Sequence, residues 1–450
     1  MSGPATRKAW LLGPILAASA LFPPSAVAAP FAPTSLLVLG SGGQPANTLN
    51  LGIIDGVNRN NGLTDTPSSV FVREFGFASP TYTGAATLRQ SITLPTVATT
   101  SGNRAFTLAS NSGSEGSLTR SADGRFVTAL GYNDTARSVL ITQSANGQSA
   151  KASPAVVNRV VARIDAGGGV NTATALSDAF NGDNARGAVS TDGSQFWTTG
   201  NVSGAAQADS GGVRYATLGA STSARVAGAD NGFTRNTNKV GIFDGQLYAS
   251  TRNGAFSGVW AIGAGTSATT QGSGTPVRLF SYDATALGGQ GPYDFVLLHD
   301  DDLGLGNGLN TAYVADSIIG ISKFTKSGTG LWAFAYTINS TGGRFETNGG
   351  AGGITGLTGV LRADGNVDLF GVSGFNGTGD TFGGNRLIRV TDTGAGASYD
   401  ILATAGATEH FSGVALAPVD VPEPGSVALL LTGVGFAGAW RRRANHLRAA

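Results

Sequence analysis

The side chains able to do chemistry are few. Three histidines occur, His299, His410 and His446, and imidazole is the usual general base near neutrality. There is no cysteine, which excludes disulfides and thiolate metal sites. No Gly-x-Ser-x-Gly elbow, His-Glu-x-x-His or phosphate-binding loop appears. The acidic stretch from His299 to Asn307 offers Asp300 and Asp302 in alternation as oxygen ligands for calcium. It lacks the closing glutamate and full ligand pattern of an EF-hand loop, so a solvated loop between two strands is the simpler reading. Three further residues, Glu115, Arg186 and Asp294, and again His410, each stand just before an apolar alternating run. A carboxylate, guanidinium and imidazole set of this kind could bind a sugar or an organic acid if the fold gathers it. Otherwise it solvates loop backbone.

The elements that would gather them are strands. Of 450 residues, 69 are glycine, about twice the usual share, and 13% are charged, against roughly 25% in a typical domain. Glycine supplies positive φ in tight turns, while scarce Glu and Lys disfavour long amphipathic helices. Hydrophobic residues make up 41%, enough for a sizeable core. The net charge of +1 is an effect of the ends. Without Arg7, Lys8, Arg441, Arg442, Arg443, Arg448 and Glu423, 23 basic residues face 27 acidic ones. No basic patch is visible, which argues against nucleic-acid binding.

A unit recurs through the middle of the chain: a small residue, an alternating apolar strand, an Asp-Gly turn, and a strand carrying aromatics. Copies turn at Asp123-Gly124, Asp192-Gly193, Asp244-Gly245 and Asp364-Gly365. Asp-Gly between alternating runs signals a hairpin. Two more strand-like runs follow each copy, and a copy without Asp-Gly begins at Tyr293. Four-stranded units therefore start near residues 117, 187, 240, 293 and 354. Phe411–Leu416 reads as the first strand of one more, completed by Ser35–Leu39, Val70–Phe75 and Leu88–Leu94. Repeats of this kind are the mark of a β-propeller. The expectation is an all-β protein of six four-stranded blades, the last shared between both ends of the chain. Seven blades, or a glycine-rich β-solenoid or sandwich pair, are the alternatives. In a propeller, Glu115, Arg186, Asp294 and His410 would face the mouth of the central channel. His299, ending a first strand, would lie on the opposite face from His410.

Both termini read as addresses. Residues 1–28 have the parts of a secretory signal peptide: Arg7 and Lys8, the apolar run Trp10–Leu21, and a small-x-small site with cleavage between Ala28 and Ala29 by signal peptidase. Residues 29–419 form the ectodomain and 420–450 the tail. There, Pro422-Glu423-Pro424 precedes an apolar run from Val427 to Trp440, then Arg441-Arg442-Arg443. The run is shorter than an ordinary spanning helix, and the arginines would keep their end cytoplasmic. This tail resembles the PEP-CTERM sorting signal of Gram-negative bacteria. The resemblance implies recognition by an exosortase-type processing enzyme and a transient inner-membrane anchor through the C-terminal helix, followed by delivery to the cell surface or beyond. It also implies association with exopolysaccharide and biofilm. Two functions follow as expectations: a non-enzymatic binding or structural protein of the surface or matrix, or an extracellular hydrolase or lyase acting on a sugar or lactone, with calcium as its only candidate cofactor.

Overall fold

The computed structural model describes residues 28–42, 67–109, 113–135, 153–227, 236–300, 308–328, 330–338, 345–347, 350–373, 385–406 and 409–420. The expected signal peptide up to Val27, Asp302, the Pro-Glu-Pro motif, the apolar run and the arginine cluster lie outside the described residues.

The fold is all-β, with four-stranded antiparallel sheets in a propeller-like arrangement. In chain order the first strands are β1 (Ser35–Gly42), β2 (Pro67–Gly76), β3 (Thr87–Thr93) and the short β4 (Thr107–Ala109). A sheet follows of β5 (Thr119–Arg120), β6 (Phe126–Tyr132), β7 (Arg159–Asp165) and β8 (Val170–Leu176). The next is β9 (Ala185–Val189), β10 (Gln195–Gly200), β11 (Val213–Thr217) and β12 (Ala224–Ala227). Then come β13 (Thr237–Phe243), β14 (Gln246–Thr251), β15 (Gly258–Ile262) and β16 (Pro276–Ser281). After the single helical turn α1 (Ala284–Leu287) follow β17 (Asp294–Leu298), β18 (Thr311–Asp316), β19 (Gly320–Lys326) and β20 (Trp332–Ile338). A small hairpin, β21 (Phe345–Thr347) and β22 (Gly350–Gly352), leads to β23 (Ile354–Leu361), β24 (Val367–Ser373), β25 (Arg386–Thr391) and β26 (Tyr399–Thr404). Finally β27 (Glu409–Leu416) pairs antiparallel with β1, Leu36 opposite Leu416, and β1 pairs in turn with β2 and β2 with β3. That closing sheet, built from both ends of the ectodomain, is the one expected from the sequence.

Local chemistry explains the hairpins. Gly124, Gly193, Gly245 and Gly365 all sit at positive φ in their Asp-Gly turns. At residues 244–245 both Asp244 (φ 48°) and Gly245 (φ 70°) are left-handed, as a type I′ turn requires. The core lies between neighbouring sheets. Val189 and Trp197 of one pack with Val240, Leu247 and Ile262 of the next. The rings of Phe280 and Phe324 stack with centroids 4.4 Å apart. Buried Trp197 donates from Nε1 to the Ala268 carbonyl at 2.6 Å, so its polar edge is satisfied.

The innermost strands approach closely, and glycine permits it. A Cβ on Gly413 would collide with the Gly116 carbonyl oxygen, and one on Gly356 would press on the backbone at Ser412 and Gly413. Through this packed centre runs one ion pair, Lys239 Nζ to Asp294 Oδ1 at 2.9 Å, with both residues buried.

Two details depart from the sequence pattern. The inner strand expected over 117–121 pairs with β6 only at Thr119 and Arg120, and Ser121 leads into the turn, its N–H donating to Phe126 O and its hydroxyl to Asp123. β4, which had no periodic signal, pairs with both β2 and β6 and so stitches the closing sheet to its neighbour.

A candidate binding cleft

An open cleft of about 380 Å³ is lined by Gly182, Asp183, Asn201, Val202, Ser203, Gly204, Asn236 and Asn253. Its walls are loops entering β9 and β13 and loops leaving β10 and β14. These loops belong to two successive sheets, so the cleft spans their junction.

The loop entering β9 is held rigidly. Phe180 is fully buried and adopts φ 53°, a left-handed conformation that costs a non-glycine residue on the order of 1–3 kcal/mol. Its N–H donates to Ser210 O at 2.7 Å, and its carbonyl accepts from Arg159 Nη2 at 2.7 Å. Arg159 is itself buried against the Tyr132 ring. Burial lowers the Arg159 guanidinium below its usual range, and burial beside Glu115 pushes the Tyr132 phenol well up. Tyr132 therefore stays a neutral donor.

Glu115 lies in this network. Its Oε1 accepts from Tyr132 Oη at 2.5 Å and Asn184 Nδ2 at 2.7 Å, and its Oε2 accepts from the Ala109 N–H at 2.9 Å. Arg186, two residues further along, is buried and donates from Nη1 to the side chains of Asn236 and Asn238 and to Thr237 O. Burial, reinforced by nearby Arg252, lowers the Arg186 guanidinium to about 9. The sequence-identified pair Glu115 and Arg186 thus lies behind the cleft wall and braces Asn184 and Asn236. Asp294 and His410 do not line the cleft. Asp294 is fully buried against Lys239 and also accepts from the N–H groups of Leu357 and Phe295. Burial raises its carboxyl, with Lys239 opposing. His410 is half-buried near the start of β27, opposite Ser41. His299 follows the end of β17, where Nδ1 meets the Gly308 carbonyl at 2.5 Å. Asp300 is buried: its N–H donates to Asn310 Oδ1 at 2.7 Å, and its backbone carbonyl accepts from Asn310 Nδ2. Among the described residues no group of three or more His, Asp or Glu side chains could hold a metal.

The cleft's own polar groups are oriented from behind. Asn201 Nδ2 donates to Asp183 Oδ2 at 2.9 Å, which leaves the Asn201 Oδ1 as an acceptor. Asn236 Oδ1 is taken by Arg186, which leaves its Nδ2 as a donor. The exposed Ser203 adds a hydroxyl. Asp183, Asn201, Asn236 and Asn253 are spread over some seventy positions and form no motif, which is why sequence reasoning did not find them.

The position of the cleft relative to the tail is fixed. Asp183 precedes β9, and the Asp192-Gly193 turn follows it, at the strand's other end. Asp123 N–H donates to Thr191 O at 2.9 Å beside that turn, and Val419 N–H donates to Gly124 O at 2.9 Å. The chain therefore leaves the ectodomain on the face opposite the cleft. Phe31 N–H donates to Ala166 O, by the β7–β8 turn on the same face as the exit.

The architecture is that of an all-β, propeller-like protein, and its tail completes the assignment. Residues 420–443 match the PEP-CTERM protein-sorting motif. That motif implies an exported, membrane-transiting protein and is consistent with processing by exosortase. Among the described residues no helix is long and apolar enough to cross a membrane. No curated protein matches the chain by sequence. Among solved structures, a nidogen/laminin complex aligns with 85% of this chain and 98% of its own at 9% identity and a TM-score of 0.43. Hydrazine synthase of Kuenenia stuttgartiensis aligns over 64% and 65% at 13% identity and 0.34. An endo-arabinase of Bacteroides thetaiotaomicron aligns over 51% and 91% at 11% identity and 0.29. None of these likenesses carries an argument about activity.

Proposed function

We propose that this protein is a non-enzymatic binding or structural component of the cell surface or extracellular matrix, sorted through its PEP-CTERM tail and associated with exopolysaccharide. The reading takes the ectodomain as a six-bladed propeller. Its support is the circuit of innermost strands in contact, β5, β9, β13, β17, β23 and β27, with β27 returning to β5. The observation that carries the binding role is the orientation of the cleft. A chain tethered through residues 420–443 presents it away from the membrane, toward whatever surrounds the cell. The chemistry of the cleft agrees. Hydrolysis of a glycosidic bond uses two facing carboxylates, and among the described residues lining the cleft only Asp183 supplies one. Glu115 is committed to three hydrogen bonds inside the protein.

The test compares the native protein with a variant carrying Pro422→Ala, Glu423→Ala and Pro424→Ala, by intact mass and cell fractionation. The wild type loses its tail and reaches the surface, while the variant keeps its full mass and stays in the inner membrane. Identical mass and location for the two would overturn the sorting role and return attention to an enzyme facing the periplasm.

A further inference from the structure

We infer that the cleft between the loops of β9–β10 and β13–β14 binds uncharged, hydroxyl-rich sugar residues of a glycan chain. The inference rests on the binding role above and supplies its site and ligand class. Its volume falls within the range of small-ligand sites, about 300–1,000 Å³. A sugar hydroxyl both donates and accepts, and neighbouring hydroxyls on one ring do so at fixed spacing. The cleft offers the matching set: an acceptor at Asn201 Oδ1, a donor at Asn236 Nδ2, the Asp183 carboxylate and the Ser203 hydroxyl.

Three features narrow the ligand. Among the described residues, the cleft lining contains no Lys, Arg or His and one carboxylate, so there an acidic polysaccharide gains no partner and meets a like charge. Val202, the one large apolar side chain among the described lining residues, is buried, so a peptide finds no hydrophobic anchor among them. The polar groups are pre-oriented by Arg186, by Asp183 and by the strained loop at Phe180. Pre-orientation lowers the ordering cost of binding. Among the described residues no aromatic ring lines the cleft, so their recognition rests on hydrogen bonds, and each site binds with a Kd on the order of 1 mM. Such affinity suits a module held at high density against a polymer rather than a scavenger of free sugar.

The experiment is affinity electrophoresis of the purified full chain in mild detergent, through gels containing dextran, galactomannan or xyloglucan, with alginate as the acidic comparison. The wild type is retarded by at least one neutral polymer and not by alginate. Ser203→Trp fills the cleft from its exposed rim and weakens binding at least about tenfold. Asn253→Ala weakens it less, and both variants keep the wild-type circular dichroism and melting temperature. No retardation by any neutral polymer, or stronger retardation by alginate, overturns the ligand class. Equal retardation of the wild type and a folded Ser203→Trp variant overturns the cleft as the site. In all of these outcomes the sorting test above still reads independently.

Discussion

Lys239→Met is the perturbation whose cost follows most directly from the geometry. Lys239 and Asp294 meet at 2.9 Å with side chains 4% and 0% exposed. Removing the ammonium leaves a carboxylate in the packed centre with two backbone N–H donors and no counter-charge. Breaking a buried pair in this way costs about 3–5 kcal/mol. The penalty depends on pH. Burial already raises the Asp294 carboxyl above its ordinary 3.8, and Lys239 is the main influence opposing that rise. Without Lys239 the folded pKa climbs further, so the folded state binds a proton more readily than the unfolded one. The variant's deficit is then full at neutral pH and shrinks as pH falls through the folded pKa toward 3.8. Lys239→Met/Asp294→Asn removes the charge while keeping an acceptor for one backbone N–H, and recovers more than half the loss. The assay is urea unfolding followed by tryptophan fluorescence at neutral and acid pH. Equal losses in the single and double variants, with no pH dependence, would refute the argument.

Two further outcomes follow from the hydrogen bonds. Glu115→Ala strands the buried Tyr132 hydroxyl and the Ala109 N–H and lowers stability by about 3 kcal/mol, read by thermal unfolding, whereas Glu115→Gln loses less. A melting temperature like that of the wild type for Glu115→Ala would count against the buried network. Glu409 accepts a two-pronged bond from Arg73, 2.7 and 2.5 Å, which ties β27 to β2 across β1. The Arg73 bond holds the Glu409 carboxyl below its ordinary 4.5, so its stabilisation is present above 4.5 and lost as pH falls through the lower folded value. Glu409→Gln accordingly flattens the acid side of a plot of urea midpoint against pH, and an unchanged acid slope would contradict this.

Much of the fold is legible in the sequence because its signals are local. The Asp-Gly turns at 123, 192, 244 and 364 each set a hairpin by their own backbone preference, and alternation sets the flanking faces. Even the closing sheet is readable, since Phe411–Leu416 needs partners that only the strands at 35, 70 and 88 are left to supply. What was not legible is long-range. β4 is three residues whose pairing depends on where β2 and β6 arrive. Lys239 carries no local signal of burial, and only the meeting of β13 with β17 brings it to Asp294. Glu115 and Arg186 read as charged residues ahead of first strands, but Arg186 lies inside β9, and the bracing of Asn184 and Asn236 comes from segments that meet only in space.

The pairing of Leu36 with Leu416 also sets an order of events. In a chain delivered N-terminus first, β1 would arrive first and β27 last, leaving the β1 edge that β27 covers bare until the end. Pairing across so long a separation is intrinsically slow. The sorting motif begins at residue 420, just past the end of β27 at Leu416. A cut within Pro422–Pro424 leaves the closing strand seated, whereas a cut ahead of Glu409 would release it. The strand that closes the sheet therefore lies wholly ahead of the sorting motif.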